Sequence, residues 1–222
     1  DSADVVVVNT CGFIDSAVTE SLDAIGEAMN QNGKVIVTGC LAERYQKEVA
    51  LEIPEADVIL GIGRNTDIVA AIQQALDGQR VVEFSDKDDL VMDAERVLVN
   101  APFFAYIKLA DGCDNRCTYC AIPGIRGPLH SRDMADCVAE ARWLAGEGVK
   151  ELIVVAQDPT AYGEDWGKPG SICELLDKLN KVPGLEWIRI MYAYPERITD
   201  DFIAAMKRNE KVVPYLDLPI QH

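Results

Sequence analysis

The segment Phe104–Cys120 reads FAYIKLADGCDNRCTYC, an apolar-rich run that empties into cysteines at positions 113, 117 and 120. Phe104–Leu109 predicts a buried strand. Chemistry-bearing residues at the C-terminal end of a strand suit a βα barrel, where active sites gather on that face. Beyond the cysteines the alternation continues. Helix Asp133–Glu147 carries Met134, Val138, Ala141 and Leu144 on one stripe, and strand Glu151–Ala156 follows. A helix opened by the capping box Ser171-Ile172-Cys173-Glu174 comes next, then strand Trp187–Ile190, helix Thr199–Arg208 and strand Tyr215–Leu218. Repeated right-handed βα units of this length predict part of a barrel over residues 101–222.

On the N-terminal side the same rhythm runs through residues 1–84. Asp4–Val8 reads as a buried strand, and Ile14, Val18, Leu22, Ile25 and Met29 follow helical spacing. Lys34–Thr38, Asp57–Leu60 and Arg80–Phe84 predict further strands. Between them lie a helix over Ala42–Ala50 and one capped at Asn65 or Thr66, carrying Ile68, Ile72 and Leu76 and stopped by Gly78. This is a small α/β domain with a mostly parallel sheet. Ser85–Asn100 breaks the rhythm with the charged run Asp86-Lys87-Asp88-Asp89 and reads as a linker over 85–100. The chain starts three residues before a strand and stops at His222, just after one that should feed another helix. Both ends therefore read as cut from a longer protein.

Of the 222 residues, 49% are hydrophobic and 26% charged, the proportions of an ordinary globular chain. Runs such as Val5–Val8 and Leu152–Ala156 fall far short of the ~20 apolar residues that span a bilayer. No basic, apolar leader opens the chain, so a cytoplasmic address is the expectation. Asp and Glu number 37 against 21 Lys and Arg, a formal net charge of −16. Such a surface repels a phosphate backbone and attracts a basic partner, which argues against direct nucleic-acid binding. Alternatively, the acidity serves solubility alone.

Seven cysteines in a cytosolic chain point to metal binding or catalysis rather than disulfides. Three of them, in the spacing C-x-x-x-C-x-x-C on a polar loop, can wrap one face of a cubane iron–sulfur cluster and leave its fourth iron open. A zinc site would need a fourth ligand, with His130 conceivable but no second C-x-x-C pair present. A thioredoxin-like reading of Cys117 and Cys120 leaves Cys113 unused. In the N-terminal part, Cys11 and Cys40 each sit at the C-terminal end of a predicted parallel strand, where ligands bind in open α/β sheets. Either alone would pass as a buried thiol, but two at matching strand ends favour ligation. Cys137 and Cys173 fall in predicted helices and read as core thiols.

The cysteine spacing, with Tyr119 before the last cysteine and Ile122-Pro123-x-x-Arg126-Gly127 after it, resembles the radical S-adenosylmethionine superfamily and, within it, the methylthiotransferases. The resemblance implies a 4Fe–4S cluster on Cys113, Cys117 and Cys120 whose unique iron chelates S-adenosylmethionine. One-electron reduction then releases a 5′-deoxyadenosyl radical. It places Tyr119 beside the adenine, where the alternative is a packing aromatic. It also implies a second 4Fe–4S cluster on three N-terminal cysteines, of which Cys11 and Cys40 are present and the first would lie upstream of Asp1.

Several stretches resemble the RimO type of this family: Asn9–Ala17 with Glu20-Ser21-Leu22, Arg126–Arg132, Ala156-Gln157-Asp158 with Ala161-Tyr162-Gly163, and Tyr215–His222. Asp133 stands where the family usually has Pro, and the family's C-terminal TRAM module is missing. The implied activity is methylthiolation of the β-carbon of an aspartyl residue in a basic small-subunit ribosomal protein near the decoding centre, with a reducing electron donor as a further partner. No catalytic side chain beyond the cluster ligands is assigned. Gln157, Asp158 and Gln221 could touch S-adenosylmethionine or substrate, or simply cap loops, and His130 reads as structural. The rival readings are a methylthiotransferase of modified adenosine in tRNA and a non-catalytic iron–sulfur or zinc scaffold.

Overall fold

The computed structural model describes residues 3–31, 33–86, 96–99 and 101–219. Most of the predicted linker, and Gln221 and His222, lie outside the described residues. The chain divides into two units: Asp1–Val91 with Asn115–Pro128, and Met92–Asp114 with Leu129–His222.

Unit 1 contains β1 (Val5–Thr10), α1 (Asp15–Met29), β2 (Lys34–Gly39), α2 (Cys40–Arg44), α3 (Gln46–Glu52), β3 (Val58–Leu60), α4 (Ile68–Leu76), β4 (Val81–Glu83) and α5 (Ile122–Arg126). Its parallel sheet runs in the order β1-β2-β3-β4, in register from Val5 opposite Lys34 to Thr10 opposite Gly39. Period-two alternation divides the strands between two cores. Val35, Val37 and Ile59 pack with Ile25 and Ala28 of α1 and with Leu41 and Val49. Ile36, Val58 and Leu60 face the other way, onto Ala71 and Ala75 of α4. A strand covered on both faces has no polar side, hence the unbroken Val-Ile-Val and Val-Ile-Leu runs.

Two expectations fail here. The helix over Ala42–Ala50 is interrupted at Tyr45 (φ −119°, ψ 39°), giving α2 and α3. Asn65 and Thr66 do not cap α4. Residues 62–67 form a 3₁₀ turn and α4 starts at Ile68, because the Asn65 side-chain Oδ1 accepts from Thr38 Oγ1 at 2.8 Å and is committed to β2.

Unit 2 contains β5 (Phe104–Lys108), β6 (Ala110–Asp111), β7 (His130–Ser131), α6 (Met134–Gly146), β8 (Glu151–Val155), α7 (Ser171–Leu179), β9 (Trp187–Ile190) and α8 (Asp200–Arg208). β5, β8 and β9 form a parallel sheet in that order. Ile107, Leu152, Val154, Ile188 and Ile190 pack under Leu144, Leu175, Leu179 and Phe202 of the helices. Each such buried side chain contributes roughly 1.5–3 kcal/mol. Asp133, at the position where the resemblance leads one to expect Pro, is the N-cap of α6 and accepts from Ala135 N–H at 2.7 Å.

The capping box at Ser171 is not formed. Gly170 (φ 81°) is the N-cap and the Ser171 hydroxyl donates backwards to Lys168 C=O at 2.7 Å. Nor is Tyr215–Leu218 a strand. A single bridge joins Val212 to Ile188, and Tyr215 N–H then bonds Val213 C=O at 2.8 Å. This tight turn is centred on Pro214, which has no N–H to continue a ladder.

Candidate functional site

The predicted cluster loop begins in unit 2. β6 and β7 pair antiparallel, Ala110 with Ser131 and Asp111 with His130, and so close the base of the excursion that holds the cysteines. Asp111 is buried; its carboxylate pairs with Lys108 and accepts Gly112 N–H at 2.9 Å, fixing the backbone one residue before Cys113. Asp114, just after Cys113, accepts Leu129 N–H at 3.2 Å and joins the outgoing and returning strands of the excursion.

The same end of unit 2 carries an ion network of which only Asp158 was marked in the sequence. Arg197 grips Glu164 through two bonds, Nε at 2.7 Å and Nη2 at 2.9 Å, and reaches buried Asp158 from Nη1 at 2.9 Å. Asp158 also accepts Thr160 N–H at 3.0 Å. The Glu164 bond pushes the Arg197 guanidinium pKa up, and the charges of Asp158 and Cys113 act in the same direction. Asp158 is thus committed to Arg197 and Thr160, whereas the buried side-chain Oε1 of Gln157 makes no hydrogen bond. Tyr162, buried by the core with its hydroxyl donating to Arg132 C=O at 2.7 Å, has its pKa raised by that burial and by neighbouring Cys137. Cys137 is buried, and burial raises the pKa of half-buried Cys173. Cys137 is a core thiol as expected, whereas Cys173 only packs against the edge of that core.

Residues 115–128 belong to unit 1. Cys120 N–H bonds Cys117 C=O at 3.1 Å, a turn that brings the two cysteines to its two ends. Tyr119, at the crown of that turn, is 67% exposed. In the same unit the β1–β2 register sets Cys11 and Cys40 immediately after paired Thr10 and Gly39. Cys11 is clasped by Ser21, whose Oγ accepts its N–H at 2.9 Å and donates to its C=O at 3.0 Å. Any other residue at Gly39 (φ 101°) would be strained, since a Cβ there would sit 2.4 Å from Thr10 O. Arg126, at the end of α5, donates from Nη2 to Cys40 Sγ at 3.3 Å. The Pro-x-x-Arg-Gly stretch marked Arg126 in the sequence but not its partner.

None of the seven cysteines is in a disulfide. Cys113, Cys117 and Cys120 are half-buried thiols on a stretch with no helix or strand of its own between Gly112 and Ala121. Three soft donors on a short, irregular loop fit an iron–sulfur cluster. Among the described residues no three His, Cys, Asp or Glu side chains already form a metal-holding group, so the fit rests on the donor set and the loop that carries it. Nor, among the described residues, is any helix long and apolar enough to cross a membrane.

Comparison with known proteins agrees with this chemistry. Residues 107–222 match the radical SAM superfamily, and residues 1–61 match an uncharacterized protein family, UPF0004. Proteins named ribosomal protein uS12 methylthiotransferase RimO are similar along the whole chain. The one from Acetivibrio thermocellus is 44% identical, covering 100% of this chain and 52% of the relative. That from Moorella thermoacetica is 45% identical, covering 99% and 51%. The chain thus spans about half the length of these relatives. The fold is similar to that of a radical S-adenosylmethionine methyltransferase, TsrM from Kitasatospora setae. The structure with tryptophan and a SAM analog superposes with TM-score 0.66 at 14% identity, over 100% of this chain and 49% of that one. Another, holding cobalamin and a [4Fe-4S] cluster, gives 0.67.

Proposed function

We propose a function from one premise: this chain belongs to the radical SAM superfamily. Membership implies a 4Fe–4S cluster and S-adenosylmethionine, and a protein of the relatives' full length carrying this chain is read as a radical methylthiotransferase acting on an aspartyl residue of ribosomal protein uS12. The cysteine loop carries the reading. Cys113, Cys117 and Cys120 would hold the cluster, with Asp111 and Asp114 fixing the backbone on either side of Cys113 and exposed Tyr119 available to the adenine. When bound, the cluster and S-adenosylmethionine supply one-electron cleavage of the sulfonium; the protein holds the ligands, orients the cofactor and excludes water. Cys11 and Cys40 would supply two ligands of a second cluster, with Arg126 donating to the sulfur of Cys40. Similarity along this whole chain to the uS12 enzymes, of which it spans about half, supports that acceptor. A net charge of −16 is also better matched to a basic ribosomal protein than to tRNA.

The test is anaerobic reconstitution of the full-length protein with iron, sulfide, dithionite and S-adenosylmethionine, with uS12 and tRNA offered separately. Release of 5′-deoxyadenosine with methylthioaspartate in uS12 is the expected result. Modification of tRNA alone would replace the acceptor, and no 5′-deoxyadenosine at all would remove the radical chemistry.

A further inference from the structure

Tyr192 follows the last strand of the unit 2 sheet, at the C-terminal edge where barrel enzymes assemble their sites. Among the described residues it alone, of those other than glycine, has a positive φ, 61°. A bulky side chain in this left-handed region is strained, and such strain persists only where the surroundings impose it. They do so here from every side. Met191 N–H bonds Val154 C=O at 3.1 Å, Tyr192 N–H bonds the Asp217 carboxylate at 3.0 Å, Ala193 N–H bonds Asp217 C=O at 2.9 Å, and Tyr194 N–H bonds Thr160 Oγ1 at 3.3 Å.

Burial does not explain the choice of residue. Ala193 is fully buried, but Tyr192 remains 50% exposed, so the bend could be made more cheaply by glycine or asparagine. The strain holds an aromatic ring in solvent at the mouth of the sheet. The order β5-β8-β9 puts that ring two strands, roughly 10 Å, from the strand that leads into the cysteine loop. On the proposed reading the cofactor sits at the cysteine loop that β5 feeds, which would leave the β9 side for the acceptor. A tyrosine suits a polypeptide there, since it offers a large rigid face and one hydroxyl at little entropic cost.

We propose that Tyr192 is a contact residue for the acceptor polypeptide, held in place by Asp217. The inference rests on reading the protein as a methylthiotransferase of a polypeptide. The experiment compares full-length wild type with Tyr192→Gly, Tyr192→Asn and Tyr192→Phe, using purified uS12 as the probe. Gly and Asn both accept the left-handed backbone, so both variants should keep a thermal midpoint at or above that of wild type. They should lose about tenfold or more in uS12 binding and in kcat/KM, while 5′-deoxyadenosine release without uS12 stays within about twofold of wild type. Tyr192→Phe should keep most of the binding. A lowered midpoint would make the ring structural. An equal loss of 5′-deoxyadenosine release would assign it to the cofactor, and unchanged uS12 binding would leave it no role in recognition. Each of these overturns the proposal. If wild type releases 5′-deoxyadenosine but leaves uS12 unmodified, the reading of the acceptor fails first, and Tyr192 with it.

Discussion

The two sets of candidate ligands are built by opposite means. Cys11 and Cys40 are 29 residues apart in the chain and are brought to adjacent strand ends by the β1–β2 register. Ser21 clasps one of them and Arg126 donates to the other. Cys113, Cys117 and Cys120 lie within eight residues on a loop whose order comes from a two-residue hairpin base, two carboxylates and one turn. In the first set the sheet does the positioning and the donors are few. In the second the donors are dense and the backbone is spare. Loss of a ligand should therefore be a chemical event in the loop, and loss of backbone geometry a structural event in the sheet.

The sharpest separation comes from deleting sulfurs. Replacing Cys113, Cys117 and Cys120 by Ala in the full-length protein should take 5′-deoxyadenosine release below detection and remove the iron and sulfide bound by the loop. The apo thermal midpoint should move by no more than about 1 °C, because the three thiols are half-buried and outside the core. Replacing Cys11 and Cys40 instead should spare 5′-deoxyadenosine release and abolish sulfur insertion. Iron and sulfide analysis beside product chromatography checks both. A Cys11/Cys40 variant that also loses 5′-deoxyadenosine would merge the two sets into one function.

The same division explains what the sequence disclosed. The loop's candidate ligands were picked out by spacing, three cysteines in eight residues, and spacing is readable without coordinates. The strands of the two parallel sheets were legible from their apolar runs, but the strand expected at Tyr215–Leu218 is a turn, and the two-residue β6 and β7 went unread. Local capping chemistry was read less well. Asn65 was diverted to Thr38 and Ser171 to Lys168, so tertiary and backward bonds outbid the caps that sequence pattern favoured. Of the Arg197–Asp158–Glu164 network only Asp158 was marked in the sequence, and the strained Tyr192 left no trace, since each depends on residues from separate strand-end loops that no period connects.

Backbone geometry gives the next largest effect. Gly39→Ala should destabilise the 222-residue chain by about 2–4 kcal/mol in urea titration, since the added Cβ meets carbonyl and amide backbone at a left-handed position. Gly124→Ala, within α5 and with nothing within 4 Å of the added Cβ, should stabilise by about 0.5–1 kcal/mol. Opposite signs are the expected outcome. If Gly39→Ala were neutral, the strand-end crossing that aligns Cys11 with Cys40 would not be the tight approach described.

The smallest effect tests whether charge helps to set that register. Asp57, before β3, accepts Lys34 Nζ at 2.8 Å and Val35 N–H at 2.9 Å, at the end of β2 opposite Cys40. Burial works to raise its carboxyl pKa, but the Lys34 bond and the Val35 amide together hold it below the usual carboxylate value. A folded pKa below the unfolded one means the ionised form stabilises the fold above roughly pH 4, and that contribution disappears as pH falls through the folded pKa. Lys34 is 36% exposed, so water screens the pair and the contribution at pH 7 should stay under about 1 kcal/mol. Asp57→Asn keeps an acceptor for Val35 N–H and removes the charge. Urea midpoints at pH 7 and at successively lower pH should show the variant slightly weaker at neutrality and converging on wild type in acid. Parallel losses at every pH would mean that hydrogen-bond geometry alone sets the β2–β3 register, leaving the sheet's positioning of Cys40 independent of charge.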